Sequence, residues 1–283
     1  MKLIEKIDKL RKEINRLKKS GKVIGFVPTM GYFHEGHLRL MDIAKEKSDV
    51  VVVSIFVNPI QFGPNEDYDR YPRDLERDMK LAEERSVDII FHPSVNEMYP
   101  EQILTYVITE KLPDVLCGKF RPVHFRGVTT VVAKLFNIVQ PDIAVFGQKD
   151  YQQAIIIKRM VEDLNFPVKI IIGPIVREPD GLAMSSRNTY LSQEERKQAP
   201  IIYKALKKAK EMVEKGERNT EVLKKAIAET ISSAPLARIE YIEVVEDKNL
   251  ESVNEVVPGS FAAVAVWFGK TRLIDNIILM EDN

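Results

Sequence analysis

Apolar and polar positions follow two rhythms over the first two thirds of the chain. Short, mostly β-branched runs recur at Val23–Val27, Val50–Val57, Asp88–Phe91, Ile143–Phe146 and Val168–Ile172. Between them, Leu38–Lys47, Asp74–Arg85, Val128–Val139 and Tyr151–Leu164 carry apolar residues at helical spacing. Continuous apolar strands separated by helices predict an α/β fold whose parallel sheet is covered on both faces. Ahead of them, Leu3, Ile7, Leu10, Ile14 and Leu17 fall on one helical face. That pattern predicts an amphipathic helix rather than a signal peptide, which needs an unbroken apolar core. Ligands of such sheets gather at the carboxyl ends of the strands. The informative segments are therefore Pro28–His37, Asn58–Gly63, His92–Pro93, Gly147–Asp150 and Gly173–Arg187.

The rhythm changes near residue 190. Ser192, followed by Glu194 and Glu195, has the pattern of a helix N-cap with an acidic first turn. One long charged helix is expected to run to about Glu214 and end at Gly216, with another from about Thr220 to Ser232. Strand-like segments follow at Arg238–Glu246, Phe261–Phe268 and Arg272–Leu279. Two helices and an antiparallel trio predict a separate, smaller α+β domain. Gly269-Lys270-Thr271 lacks the earlier glycine of a phosphate-binding loop, that position being Val264, and lies between two strands. It reads as a hairpin turn.

Composition narrows the function classes. Forty-two basic and 42 acidic residues cancel in 283, so no global field recruits nucleic acid or a membrane surface. The single cysteine, Cys117, rules out an intramolecular disulfide and a cysteine-cluster metal site. Val50–Val57, the most apolar run, is far too short to span a bilayer. A cytoplasmic protein is expected.

Candidate chemistry begins at Pro28–His37, a glycine-punctuated turn between a strand and a helix start. Unpaired N–H groups and the positive dipole end make such a start a natural anion seat. His34 and His37 add donors that can follow charge along a phosphate chain, although one could simply cap the helix and the other lie on the surface. In Asn58–Gly63, Asn58-Pro59 is ordinary turn chemistry, whereas Gln61 suits hydroxyl and carboxylate oxygens of a small substrate. In Gly147-Gln148-Lys149-Asp150, a cation stands at a helix start, which is unfavourable unless an anion shares the site. Lys149 therefore reads as a phosphate ligand, with a surface lysine as the alternative. Asp180–Arg187 offers two hydroxyls, Ser185 and Ser186, and a guanidinium, or else a plain capped turn.

The H-x-G-H spacing at 34–37 resembles the signature of nucleotidyl-transferring α/β enzymes. Taken together, the motifs resemble the pantoate–β-alanine ligase family. They are P-T-M-G-x-x-H-E-G-H at 28–37, V-S-I-F-V-N-P-I-Q-F-G at 53–63 and Y-P-R-D at 71–74. R-P-x-H-F-R-G-V at 121–128, F-G-Q-K-D-Y-Q-Q at 146–153 and V-R-E-x-D-G-L-A-M-S-S-R-N at 176–188 continue the match. Two positions depart from the family: Cys117 stands where relatives usually carry an acid, and only Asp78 matches a pair of adjacent aspartates found in some relatives.

The resemblance implies a Rossmann-like N-terminal domain, residues 1–188, that binds ATP and pantoate, and an α+β lid domain, residues 189–283. It implies ATP-driven condensation of pantoate with β-alanine through a pantoyl adenylate, with Mg2+ on ATP and no protein ligand for the metal identified. Met30, Gly31, Tyr32, Phe33, His34, Glu35, Gly36 and His37 would surround ATP. Gly147, Gln148, Lys149, Asp150, Val176, Met184, Ser185, Ser186 and Arg187 would complete the nucleotide site, with Asp150 a ribose contact. Gln61 and Gln153 would hold pantoate. His37, His34 and Lys149 are the expected catalytic residues, and a homodimer is expected. A nucleotidyltransferase that leaves AMP on its product and a non-catalytic ATP sensor are the alternatives.

Overall fold

The computed structural model describes residues 1–64 and 66–282. The first part contains β1 (Lys2–Ile4), α1 (Ile7–Lys19), β2 (Ile24–Thr29), α2 (Glu35–Lys47), β3 (Val50–Ile55), α3 (Leu75–Glu84) and β4 (Ile89–Phe91). It continues with α4 (Val95–Met98), α5 (Leu116–Phe120), α6 (His124–Val139), β5 (Ile143–Gly147), α7 (Tyr151–Asp163) and β6 (Lys169–Gly173). Its six strands form one parallel sheet in the order β1-β4-β3-β2-β5-β6.

Period-two alternation explains why the strands read as unbroken apolar runs. Ile24, Phe26, Val50, Val52, Ile89, Phe91, Ala144 and Phe146 face a core built with α1, α6 and α7. Val27, Val51, Val53, Ile55, Ile90 and Val145 face the opposite core, built with α2 and α3. Along β3 and β4 neither face meets water, so polar alternation is absent there.

β1 departs from the sequence expectation. Leu3 is not on the α1 face; Lys2, Leu3 and Ile4 pair with Ile89, Ile90 and Phe91, and Leu3 is exposed. Apolar spacing cannot separate a three-residue edge strand from a preceding helical turn, because its partner lies almost 90 residues away. The α1 helix starts only at Ile7, whose N–H donates to Glu97 Oε1 at 2.9 Å.

The C-terminal part contains α8 (Gln193–Gln198), α9 (Ile201–Glu214), α10 (Thr220–Ser232) and the antiparallel strands β7 (Ala237–Glu246), β8 (Ser260–Phe268) and β9 (Thr271–Ile278). Ser192 caps α8 in a reciprocal box with Glu195. The single long helix expected to Glu214 is two helices. Pro200 has no N–H to donate back into α8 and sits where α9 begins. Gly269 and Lys270 form the β8–β9 hairpin turn. α9 and α10 cover one face of this sheet in a core that Leu182 joins. A further apolar cluster, including Leu116, Phe125, Ile156, Val245 and Phe261, cements the two sheets together.

Phe136 centres the aromatic packing under the parallel sheet, with its ring edge-on to Phe26, Phe146 and Phe166 at centroid distances of 6.4, 6.4 and 5.8 Å. Phe136→Ala should cost about 3–5 kcal/mol. A urea titration should show the midpoint falling by a corresponding amount; a loss below about 1 kcal/mol would show that the rings repack freely.

Candidate active site

The sheet opens where its strand order reverses. β2 pairs with β3 along its whole length, from Ile24 to Thr29, but with β5 only at Gly25 and Phe26. The two strands therefore part before their carboxyl ends, leaving a crevice at the topological switch point. The segment after β2 supplies one wall and the segment after β5 the other.

Asp78, from α3, shapes the first wall. Its carboxylate is buried and accepts Tyr32 N–H at 2.6 Å and Phe33 N–H at 2.7 Å. Burial pushes the carboxyl up from its ordinary range, against the downward pull of those two N–H groups and Arg77. With both oxygens used, Asp78 is a loop anchor. Gly31 and Tyr32 pass through positive φ, and the chain then enters α2 at His34.

His34 is the N-cap of α2, accepting Gly36 N–H on Nδ1 at 3.1 Å, while His37 Nδ1 accepts His34 N–H at 3.3 Å. The two imidazoles lie 4.1 Å apart, centroid to centroid. A Cβ on residue 36 would fall 2.8 Å from His34 Cε1, so only glycine lets the ring fold back over its own helix start. Capping and phosphate chemistry are thus compatible in one residue. With both Nδ1 atoms accepting, each ring carries its proton on Nε2, leaving two N–H donors for other work. Burial, the neighbouring ring and Lys149 push His34 down to about 2; burial and Lys149 push His37 down to about 4.

Lys149 lies in a 3-10 turn, Gln148–Asp150, immediately before α7. Its closest acidic neighbour is Asp150 Oδ2, at 4.0 Å. The field of its ammonium reaches both histidines, so the walls of the crevice are electrostatically linked. Ser186 Oγ donates to Tyr32 O at 3.3 Å, tying the 180–187 segment to the histidine loop. Ser185 caps the following turn by accepting Arg187 N–H, and Met184 N–H closes onto Val176 O at 3.0 Å. Arg187, expected on phosphate, is paired through Nε and Nη2 with Asp67, each at 2.8 Å. Burial disfavours the Asp67 charge, but that pairing more than offsets it and holds the carboxyl low. Glu35 points outward to Arg85 on the surface, so only its backbone remains near the anion seat.

The substrate glutamines occupy different settings. Gln153, Lys149, Asp150, Ser185 and Arg187 line a cleft of about 1050 Å³ between the two sheets. Gln61 lies beside Met30, donating from Nε2 to its sulfur at 3.3 Å. Gln61 Oε1 accepts Asn58 Nδ2–H at 3.0 Å, and Asn58 Oδ1 accepts the Tyr99 hydroxyl at 2.9 Å. Gly127 lets α6 approach this turn: a Cβ there would lie 2.5 Å from Gln61 Cα.

In the sequence, His124 has no role beyond its place in the R-P-x-H-F-R-G-V motif. Its buried Nδ1 donates to Gln61 O at 3.0 Å, and burial pushes its pKa down, so it serves as a neutral brace. Cys117, at the position expected to be acidic, accepts Arg272 Nη1–H at 3.4 Å. That arginine also pairs with Glu240, so a cation from the second sheet does face the departed position.

The pantoate-beta-alanine ligase family model matches residues 2–278. The chain belongs to the pantoate–β-alanine ligase family. It is 59% identical over 278 residues to a pantothenate synthetase of Thermoanaerobacter pseudethanolicus, covering 98% of each chain. It is 57% identical over 279 residues to that of Caldicellulosiruptor bescii, covering 99% of each. Pantothenate synthetase from Thermus thermophilus superposes with a TM-score of 0.94 at 47% identity, over 99% of this chain and all of that one. A Francisella tularensis pantoate-beta-alanine ligase, solved with "Beta-gamma ATP and Beta-alanine", superposes with a TM-score of 0.82 at 38% identity, covering 99% and 98% of the two chains. Like its family, the chain is an ATP-dependent ligase that joins pantoate to β-alanine.

The histidine geometry makes a spectroscopic prediction. Nitrogen-15 NMR of the ligase at pH 6–8 should show His34 and His37 neutral, protonated on Nε2; an Nδ1–H signal for either would contradict the capping arrangement. Because both native values lie below the ordinary 6.5, the unfolded chain binds protons that the native one refuses. Stability should therefore decline as pH falls from 6.5 towards 4. His37→Gln should flatten that decline in thermal melts.

Proposed function

We propose that the ligase works in two steps: the pantoate carboxylate attacks the α-phosphorus of ATP, expelling pyrophosphate, and the β-alanine amine then attacks the acyl carbon, expelling AMP. The observation that carries this reading is that His34 and His37, each with Nδ1 engaged and held neutral, stand at the start of α2 beside the switch-point crevice and within the field of the Lys149 ammonium. A carboxylate nucleophile is ionised at neutral pH, so the first step needs positioning and charge stabilisation rather than a general base. His34 and His37 serve as donors to phosphate oxygens, Lys149 balances the departing pyrophosphate, and Ser185 and Ser186 complete the grip. Arg187 joins them by exchanging Asp67 for phosphate. Gln61 and Gln153 hold pantoate without a formal charge that would blunt its carboxylate.

Mg2+ would accompany ATP in this reading and supply charge neutralisation for the phosphates. Among the described residues no group of three histidines, cysteines or acids is placed to hold a metal, and both Asp78 oxygens are engaged. The residues present thus do not form a protein cage for the ion, and no protein ligand is assigned. We also divide the chain at residue 188 into a catalytic domain and a lid, a division supported by the separate core of the second sheet. A homodimer is supported by exposed apolar side chains at Leu104, Tyr106 and Ile108. Use of ATP supports a cytoplasmic location.

With ATP, Mg2+ and pantoate alone, about one pyrophosphate per site should form, and β-alanine should then release AMP and permit turnover. ADP production, or AMP release indifferent to β-alanine, would overturn the scheme. Lys149→Ala should slow the first step about a hundredfold while leaving the fold intact. Its second step, assayed from synthetic pantoyl adenylate, should suffer less; equal losses in both would remove Lys149 from adenylation.

Gln153→Ala and Gln61→Ala should each lower kcat/KM for pantoate about tenfold to a hundredfold with ATP affinity nearly unchanged. Collapse of ATP binding with pantoate use intact would reassign them.

A further inference from the structure

Asn276 lies on β9, in the second sheet, and is 4% exposed. All its side-chain hydrogen bonds reach the turn that carries Lys149. Nδ2 donates to Gln148 O at 2.9 Å and to Lys149 O at 3.1 Å, and Oδ1 accepts Gln148 Nε2–H at 3.2 Å. Two successive peptide carbonyls are thereby fixed, which sets the orientation of the peptide planes on the carboxyl side of Gln148 and of Lys149. The direction in which Lys149 leaves the backbone follows from those planes; only its flexible stem remains to be placed.

Asn276 is itself held from behind. Its N–H donates to Asp275 Oδ1 at 2.8 Å. Asp275 is buried and takes two hydrogen bonds from Arg177, at 2.6 and 3.0 Å. Arg177 stacks over the Tyr203 ring at 3.7 Å. The chain of contacts runs from a packed helix of the second part, through a buried ion pair, to the phosphate turn.

We propose that Asn276 is a positioning residue for the first chemical step, acting through Lys149 across the boundary between the two sheets. This inference rests on the reading of Lys149 as the adenylation cation. A merely cohesive role for the same hydrogen bonds would weaken both steps and the fold together. A positioning role separates them, because an ångström of misplacement at a charge-stabilising group affects only the step in which that charge develops.

The test uses the full-length enzyme and four variants: Asn276→Ala, Asn276→Ser, Ile277→Ala and Lys149→Ala combined with Asn276→Ala. Asn276→Ser keeps one hydroxyl donor and carries the test should Asn276→Ala fail to fold. Ile277, the next residue on β9, packs into the second core and reports the effect of loosening that sheet. Pyrophosphate release from ATP and pantoate measures the first step; pantothenate formation from synthetic pantoyl adenylate and β-alanine measures the second. Asn276→Ala should slow the first step about tenfold to a hundredfold and leave the second nearly unchanged. On the Lys149→Ala background its effect should vanish, since the two act as one unit. Ile277→Ala should lower Tm without separating the steps. Parallel loss of both steps in the Asn276 variants, or persistence of the full effect without Lys149, would overturn the proposal. Absence of pantoate-dependent pyrophosphate from the wild type would instead overturn the two-step reading on which it rests.

Discussion

The divergence of β2 from β5 is the constraint on which the rest of the site depends. Two strands that stay paired to their ends leave no room for a ligand between them; here the ladder stops at Phe26. Everything that follows β2 must then be stabilised by something other than sheet hydrogen bonds. Asp78 does this for Tyr32 and Phe33, His34 for Gly36, and His37 for His34. The same backbone groups that a longer ladder would have consumed become a scaffold for imidazoles.

Electrostatics in the crevice is arranged so that formal charges do not crowd one another. The histidines are neutral, so they add donors without adding to the positive charge of Lys149 and the helix start. Arg187 and Arg121 are each paired with a carboxylate, Asp67 and Glu66, from the turn after Gly63. That leaves Lys149, 4.0 Å from Asp150, as the less committed cation. Placement of its backbone therefore matters more than it would in a site where several mobile cations share the load.

Much of this was legible in the residues, and the failures have physical causes. The double-sided strands, α2, α7, the Ser192 box and the hairpin at Gly269 follow from local pattern and turn chemistry. Leu3 and the break at Pro200 escape local pattern because helical spacing persists through a strand edge and across a short interruption. The H-x-G-H pair and Lys149 announced themselves by type and position. Asp78, His124 and Asn276 did not: each acts on backbone atoms dozens of residues away, and a residue that serves a distant carbonyl or N–H leaves no periodic or compositional trace. Gly127 was visible as a letter in a motif, but its reason, the approach of the Gln61 turn, exists only in three dimensions.

The chain from Tyr99 through Asn58 to Gln61 gives the neighbouring region a handedness of hydrogen bonding. Burial pushes the Tyr99 pKa up, so its hydroxyl keeps its proton and can donate to Asn58 Oδ1. Asn58 must then turn its NH2 towards Gln61, and Gln61 must turn its own NH2 away from Asn58. One Gln61 proton meets the Met30 sulfur. A single phenolic proton thus fixes, two side chains away, which end of the Gln61 amide accepts from Asn58 and which end donates. On the proposed role of Gln61 in holding pantoate, a ligand oxygen is favoured over an isosteric amide nitrogen, with no charge and no change of shape involved.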